Sequence, residues 1–169
     1  KDMKNIFASF LFLFLTLPGY TITDESIIKE DVGWVERLGS TIDFDAEITD
    51  SKNVTKNLAK FVDSSKPTVL ILAYYSCPKM CTFLLDGVLE VVSSVDKIRP
   101  GRDYNLITLS FDYEDDYKIS QGKEKRYNKS FAADNEEWKF YTATPPNIKS
   151  VTNSVGFKFV PDGDEFAHP

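Results

Sequence analysis

The spacing of hydrophobic positions changes several times along this chain, and each change marks an element. From Thr41 to Thr49, Ile42, Phe44, Ala46 and Ile48 alternate with Asp43, Asp45 and Glu47, the period of two expected of a half-exposed strand. Asp50-Ser51-Lys52-Asn53 supplies turn residues, and positions 55–62 then read as a short helix. Pro67 opens the unbroken run Thr68-Val69-Leu70-Ile71-Leu72-Ala73-Tyr74-Tyr75, the pattern of a strand buried on both faces of a parallel sheet. After Ser76-Cys77-Pro78, with Pro suited to a first helical turn, Met80, Leu84, Leu85, Val88, Val91, Val92 and Val95 fall at helical spacing. Arg99-Pro100-Gly101 ends that helix, and residues 104–111 predict a second buried strand. The charged stretch 116–131 reads as a solvated surface helix, and 138–141 as a short strand. A further helix over 146–155 carries Ile148, Val151 and Val155 on one face, with Gly156 as its C-terminal cap. Residues 157–160 are extended, and Pro161-Asp162-Gly163 turns the chain. Strands alternating with helices of this size predict an α/β fold with a central, mostly parallel sheet.

The N-terminus has a different pattern. Lys1-Asp2-Met3-Lys4-Asn5 precedes an almost continuous apolar run from Ile6 to Leu17, closed by Pro18-Gly19. A basic start, a short apolar stretch and a helix-breaking end are the parts of a secretory signal, and the run falls short of the roughly 20 residues that span a bilayer. Residues 1–19 are therefore expected to be a signal peptide or a short membrane anchor, with a buried core helix as the bland alternative. Residues 20–39 form a lead-in segment, and 40–169 a single α/β domain. The chain is thus expected to be exported, to the periplasm or to an anchored position facing it.

Composition narrows the chemistry. The 169 residues carry a formal net charge of −6, and the Lys and Arg residues form no stripe, so the basic footprint of a nucleic-acid binder is missing. Only two cysteines, two methionines and one histidine are present, too few for a four-ligand Cys/His zinc site or a four-thiolate iron–sulfur cluster. Thiol or soft-metal chemistry therefore rests on Cys77 and Cys81, four residues apart at the seam between a strand and a helix. Positions i and i+4 share a helix face, and a helix N-terminus favours thiolate, the form that binds metal and attacks disulfides. An exported pair of this kind can act as a redox couple, a metal site, a structural disulfide or two small buried hydrophobes. His168 is the natural third ligand. Two sulfurs and an imidazole suit Cu(I) and tolerate Cu(II), although a histidine near a chain end is more often an ordinary surface residue. Met80, inside the motif, reads as a packing residue, and the acidic cluster 112–116 as a solvated loop.

At these residues the chain resembles the Sco/SenC family, thioredoxin-like proteins associated with copper delivery to cytochrome c oxidase. The resemblance runs from Leu38-Gly39 to Pro169. Its pieces are Lys66-Pro67-Thr68-Val69-Leu70, Tyr75-Ser76-Cys77-Pro78-Lys79-Met80-Cys81-Thr82, Leu85-Asp86-Gly87-Val88, Pro100-Gly101-Arg102-Asp103-Tyr104, Ser110-Phe111-Asp112, Val155-Gly156-Phe157 and Phe166-Ala167-His168-Pro169. It implies a thioredoxin-like fold with an N-terminal strand extension, copper held by Cys77, Cys81 and His168, and Asp112 as a turn carboxylate or a residue beside the site. It also implies a copper-acceptor partner such as cytochrome c oxidase subunit II, and a thiol reductant. Thr82 and Ala167 stand where many members have Pro and Asp. A thioredoxin-like sheet normally continues with a hairpin and a helix, so the C-terminus is expected to be truncated and the chain correspondingly less stable. Three functions fit: a metallochaperone, a thiol–disulfide oxidoreductase using Cys77 and Cys81, and a thiol peroxidase.

Overall fold

The computed structural model describes residues 31–95, 97–130 and 138–169. Its elements, in chain order, are β1 (Gly33–Trp34), β2 (Glu47–Asp50), β3 (Thr55–Asn57), a 3-10 turn (Leu58–Lys60), β4 (Thr68–Ala73), α1 (Met80–Ser94), β5 (Asn105–Ser110), α2 (Tyr117–Asn128), β6 (Trp138–Ala143), α3 (Pro145–Val155), β7 (Phe157–Lys158), β8 (Val160–Asp162) and β9 (Glu165–Ala167). The central sheet has the order β3-β2-β6-β5-β4. Strands β4, β5 and β6 are parallel, with Thr68 opposite Asn105 and Leu106 opposite Trp138, while β2 is antiparallel to both β6 and β3. Small antiparallel pairs, β1 with β7 and β8 with β9, lie outside that sheet.

Alternation along the strands builds the two faces of the sheet. Ile71, Leu106, Trp138 and Phe140 pack with Leu85 of α1 and Tyr127 of α2. Ile48, Ile107, Leu109 and Tyr141 pack with Leu58 and with Val151 of α3. Burying a side chain such as Leu85 or Phe140, both 0% exposed, is worth roughly 1.5–3 kcal/mol. Buried polar groups are matched: the Trp138 indole donates to Thr108 Oγ1 at 2.8 Å, and Ser120 Oγ donates to the Phe140 carbonyl at 2.7 Å. A third cluster, Ala73, Tyr74, Cys77, Cys81, Phe111, Ile148 and Phe157, closes the carboxyl ends of the parallel strands, where ligands bind in open α/β sheets.

Several expectations need correction. Residues 55–62 are a strand and a 3-10 turn, because residues 55–57 find a ladder partner in β2. The strand expected from Thr41 begins only at Glu47, since Asp43 caps a turn by accepting from the Asp45 amide at 3.0 Å. Strand β4 is an edge of the described sheet, and Val69 is 46% exposed, so it is not buried on both faces. Helix α2 begins on Asp116, whose carboxylate accepts from the Lys118 and Ile119 amides. It is solvated on one side only, because Ser120, Glu124 and Tyr127 are buried. Gly156 ends α3 in the left-handed region at φ 74°, as expected of its cap. Among the described residues no helix is long and apolar enough to cross a membrane, and the expected signal segment lies outside them.

Candidate metal and thiol site

The loop from Tyr74 to Lys79 carries the chain from the end of β4 into α1. Two carboxylates shape it from below. Asp115 accepts from the Tyr75 amide and from Ser110 Oγ, both at 2.6 Å. Asp112 accepts from the Glu114 amide at 2.8 Å and from Ser76 Oγ at 3.0 Å, and its own amide donates to Ser110 Oγ at 3.1 Å. Asp112 is therefore both a turn carboxylate and an anchor for the residue before Cys77. Burial raises Asp115 above the usual carboxylate range, and the neighbouring Asp112 adds to the rise. The solvated-loop expectation for 112–116 fails at these two buried residues.

Cys77 and Cys81 are both free and buried. Cys77 precedes the helix rather than sitting within it, since α1 opens at Met80 with Lys79 as its N-cap position. Its sulfur takes the place of a capping side chain: the Cys81 amide donates to Cys77 Sγ at 3.3 Å. Burial acts to raise the Cys77 thiol, but hydrogen bonds from the Cys81 amide, the Tyr74 hydroxyl and the Lys79 amide outweigh it, and the net shift is downward. Cys81 moves the other way. Burial pushes it up to about 12, and negative charge on Cys77 contributes. The two sulfurs are thus unequal, with Cys77 the readier to lose its proton.

Sequence reasoning passed over Tyr74. Burial and the adjacent Cys77 hold its hydroxyl well above the usual phenol value, so it stays a donor. Its ring lies 5.3 Å from those of Phe111 and Phe166 and 6.0 Å edge-on from His168. The signal was present in Tyr74-Tyr75 ahead of the cysteine, but spacing alone assigns both to the buried strand. Tyr75 is in fact structural: its hydroxyl donates to the Tyr141 carbonyl at 2.7 Å and accepts from the Tyr141 amide at 3.1 Å.

His168 follows β9 and is half-buried in an aromatic nest, its ring 5.3 Å from Phe111 and 6.4 Å from Phe157. It shares a cleft of about 450 Å³ with Cys81, Met80, Trp34, Leu84 and Phe157. Cys81 and His168 thus face one space, and Cys77 adjoins Cys81. Among the described residues, however, no three His, Cys, Asp or Glu side chains are gathered closely enough to hold a metal ion. The donor types suit Cu(I), being soft thiolates with an imidazole. Binding by all three would require His168 to move toward the pair.

No family model matches this sequence, and no curated protein does. Solved structures do. An Aquifex aeolicus VF5 protein named for electron transfer matches with a TM-score of 0.68 and 26% identity, over 79% of this chain and 75% of that one. Bradyrhizobium japonicum ScoI, solved with copper bound, matches with a TM-score of 0.53 and 25% identity, over 75% of this chain and 76% of its own. Arabidopsis thaliana ScoI, also with copper bound, matches with a TM-score of 0.57 and 16% identity, over 75% and 74%. The last shares the fold.

Proposed function

From structural likenesses and a motif series that together support assignment to the Sco/SenC family, we propose that this chain is an exported copper-binding metallochaperone. The observation that carries the proposal is the convergence of both free cysteines and the single histidine on one end of the sheet, with Cys81 and His168 lining the same cleft. The copper-bound state of the Bradyrhizobium relative supports the choice of metal. Copper is cargo in this scheme. Cys77 is the first donor because it is the readier thiolate, Cys81 loses its proton as copper arrives, and His168 supplies a neutral imidazole. Delivery then proceeds by ligand exchange to another exported copper site, such as that of cytochrome c oxidase subunit II.

Titration of Cu(I) into the reduced chain against a competing chelator tests this. The expected result is one tightly bound copper per chain, weakened by Cys77→Ala and by His168→Ala. A second reading, thiol–disulfide exchange with an exported partner, is favoured by the unequal thiols, because a low-pKa thiol paired with a protonated neighbour is an attacking couple. Copper affinity indifferent to both substitutions would leave that second reading as the function.

A further inference from the structure

Met80 has the sequence position of a packing residue, yet it does not pack. It is 67% exposed at the first residue of α1, immediately before Cys81. It also lines the cleft that Cys81 and His168 share. The three soft or borderline donors of that cleft are therefore a thioether, a thiol and an imidazole.

We propose that Met80 is a further copper donor of this protein, an outer ligand that engages Cu(I) at the mouth of the cleft. The proposal rests on the copper-binding reading above. Its chemistry follows from the thioether. A methionine sulfur is soft and uncharged, so it favours Cu(I) and adds little for Zn(II) or harder cations. It carries no proton, so it engages and releases the ion at any pH without the proton exchange that each thiol requires. An unbranched, exposed side chain can follow the ion outward, whereas Cys77 and Cys81 are fixed in the core. Copper leaving the buried thiols would thus pass a neutral donor before reaching a partner's ligands, with no change in its oxidation state.

Selenium provides a direct test, because the chain has only two methionines, Met3 and Met80. In a Met3→Leu chain grown with selenomethionine, X-ray absorption at the selenium edge after loading one Cu(I) should show a copper neighbour. Met80→Leu, which retains an apolar side chain at an exposed position, should weaken Cu(I) binding roughly 10-fold in chelator competition, at the lower end of what supporting residues contribute at metal sites. Zn(II) affinity should be unchanged. A selenium edge without copper, with wild-type Cu(I) affinity in Met80→Leu, overturns the Met80 assignment while leaving the Cys and His reading intact. Absence of tight Cu(I) binding by the unsubstituted chain, or binding that survives Cys77→Ala, overturns both. Slower copper transfer by Met80→Leu at unchanged affinity, with no copper neighbour at selenium, also overturns the ligand role and makes Met80 a docking contact.

Discussion

Replacing Tyr74 with Phe removes one oxygen and leaves the ring, so it isolates the hydroxyl that Cys77 receives. The ring keeps its contacts with Phe111, Phe166 and His168, and the fold should hold. A hydrogen bond to a charged acceptor contributes about 1.5–3 kcal/mol, and sulfur is a weak acceptor, so about 1.5 kcal/mol is the reasonable figure. That corresponds to a roughly 10-fold smaller thiolate population at any pH below the thiol's range. The thiolate that remains is the base of a weaker acid and more nucleophilic. With a Brønsted coefficient of about 0.4–0.5 it recovers about 3-fold, leaving a net fall of roughly 3-fold in alkylation rate. The assay is the rate of iodoacetamide modification of Cys77 near neutral pH, in a Cys81→Ser background so that one thiol reports. The rate–pH profile should shift to higher pH, and the plateau rate at alkaline pH should rise. An unshifted profile would refute the assignment of Tyr74 as the donor that favours thiolate.

Tyr75→Phe should behave differently despite its adjacent position. It strips a buried partner from the Tyr141 amide and should cost roughly 1–3 kcal/mol in urea denaturation while leaving the Cys77 profile alone. Gly156→Ala should be destabilising by more than the roughly 1–2 kcal/mol of left-handed strain, because a Cβ there runs into the Val35 carbonyl; loss of the β1–β7 pair by amide hydrogen exchange would report it. The two thiols should give opposite pH dependences. The depressed Cys77 contributes stability that is present above the ordinary thiol value and lost as pH falls through its lower folded value, whereas Cys81 contributes stability present below the ordinary value and lost as pH rises toward about 12. Denaturation midpoints of the reduced chain relative to Cys81→Ser should therefore fall in the alkaline range, and those relative to Cys77→Ser should fall as pH drops below the thiol range.

The parts of the fold legible in sequence are those whose local period agrees with their burial. The strand before Cys77 and the helix after it are legible because the two patterns change at the cysteine motif itself, although the edge position of that strand is not. The cap at Gly156 is legible because only a left-handed residue closes that helix end. Residues 55–57 mislead because Thr55-Lys56-Asn57 has no apolar alternation of its own, and the three-residue strand owes its existence to the ladder with β2. Helix α2 misleads for a related reason: Glu124 looks like a surface charge, but it is buried between Ser51 Oγ and the Phe140 amide, partners distant in sequence. In the site, residue identity points to Cys77, Cys81 and His168, but the division of labour between the two thiols is not legible. It depends on which sulfur the Cys81 amide and the Tyr74 hydroxyl reach.

The same side chain bears on why the three donors stand close but unassembled. Cys77 and Cys81 are fixed by a six-residue parallel ladder on one side and by the first turn of a 15-residue helix on the other. His168 instead follows a hairpin of three residue pairs and is seated mainly by ring contacts. Ring contacts of this kind are each worth about 0.5–1.5 kcal/mol beyond burial, so the imidazole can be repositioned at far lower cost than either sulfur. Tyr74 bears on both parts, its hydroxyl lowering the Cys77 thiol and its ring lying against Phe166 and His168. The fold thus sets a rigid thiol pair beside a more loosely held imidazole, as the proposed uptake and release of copper requires.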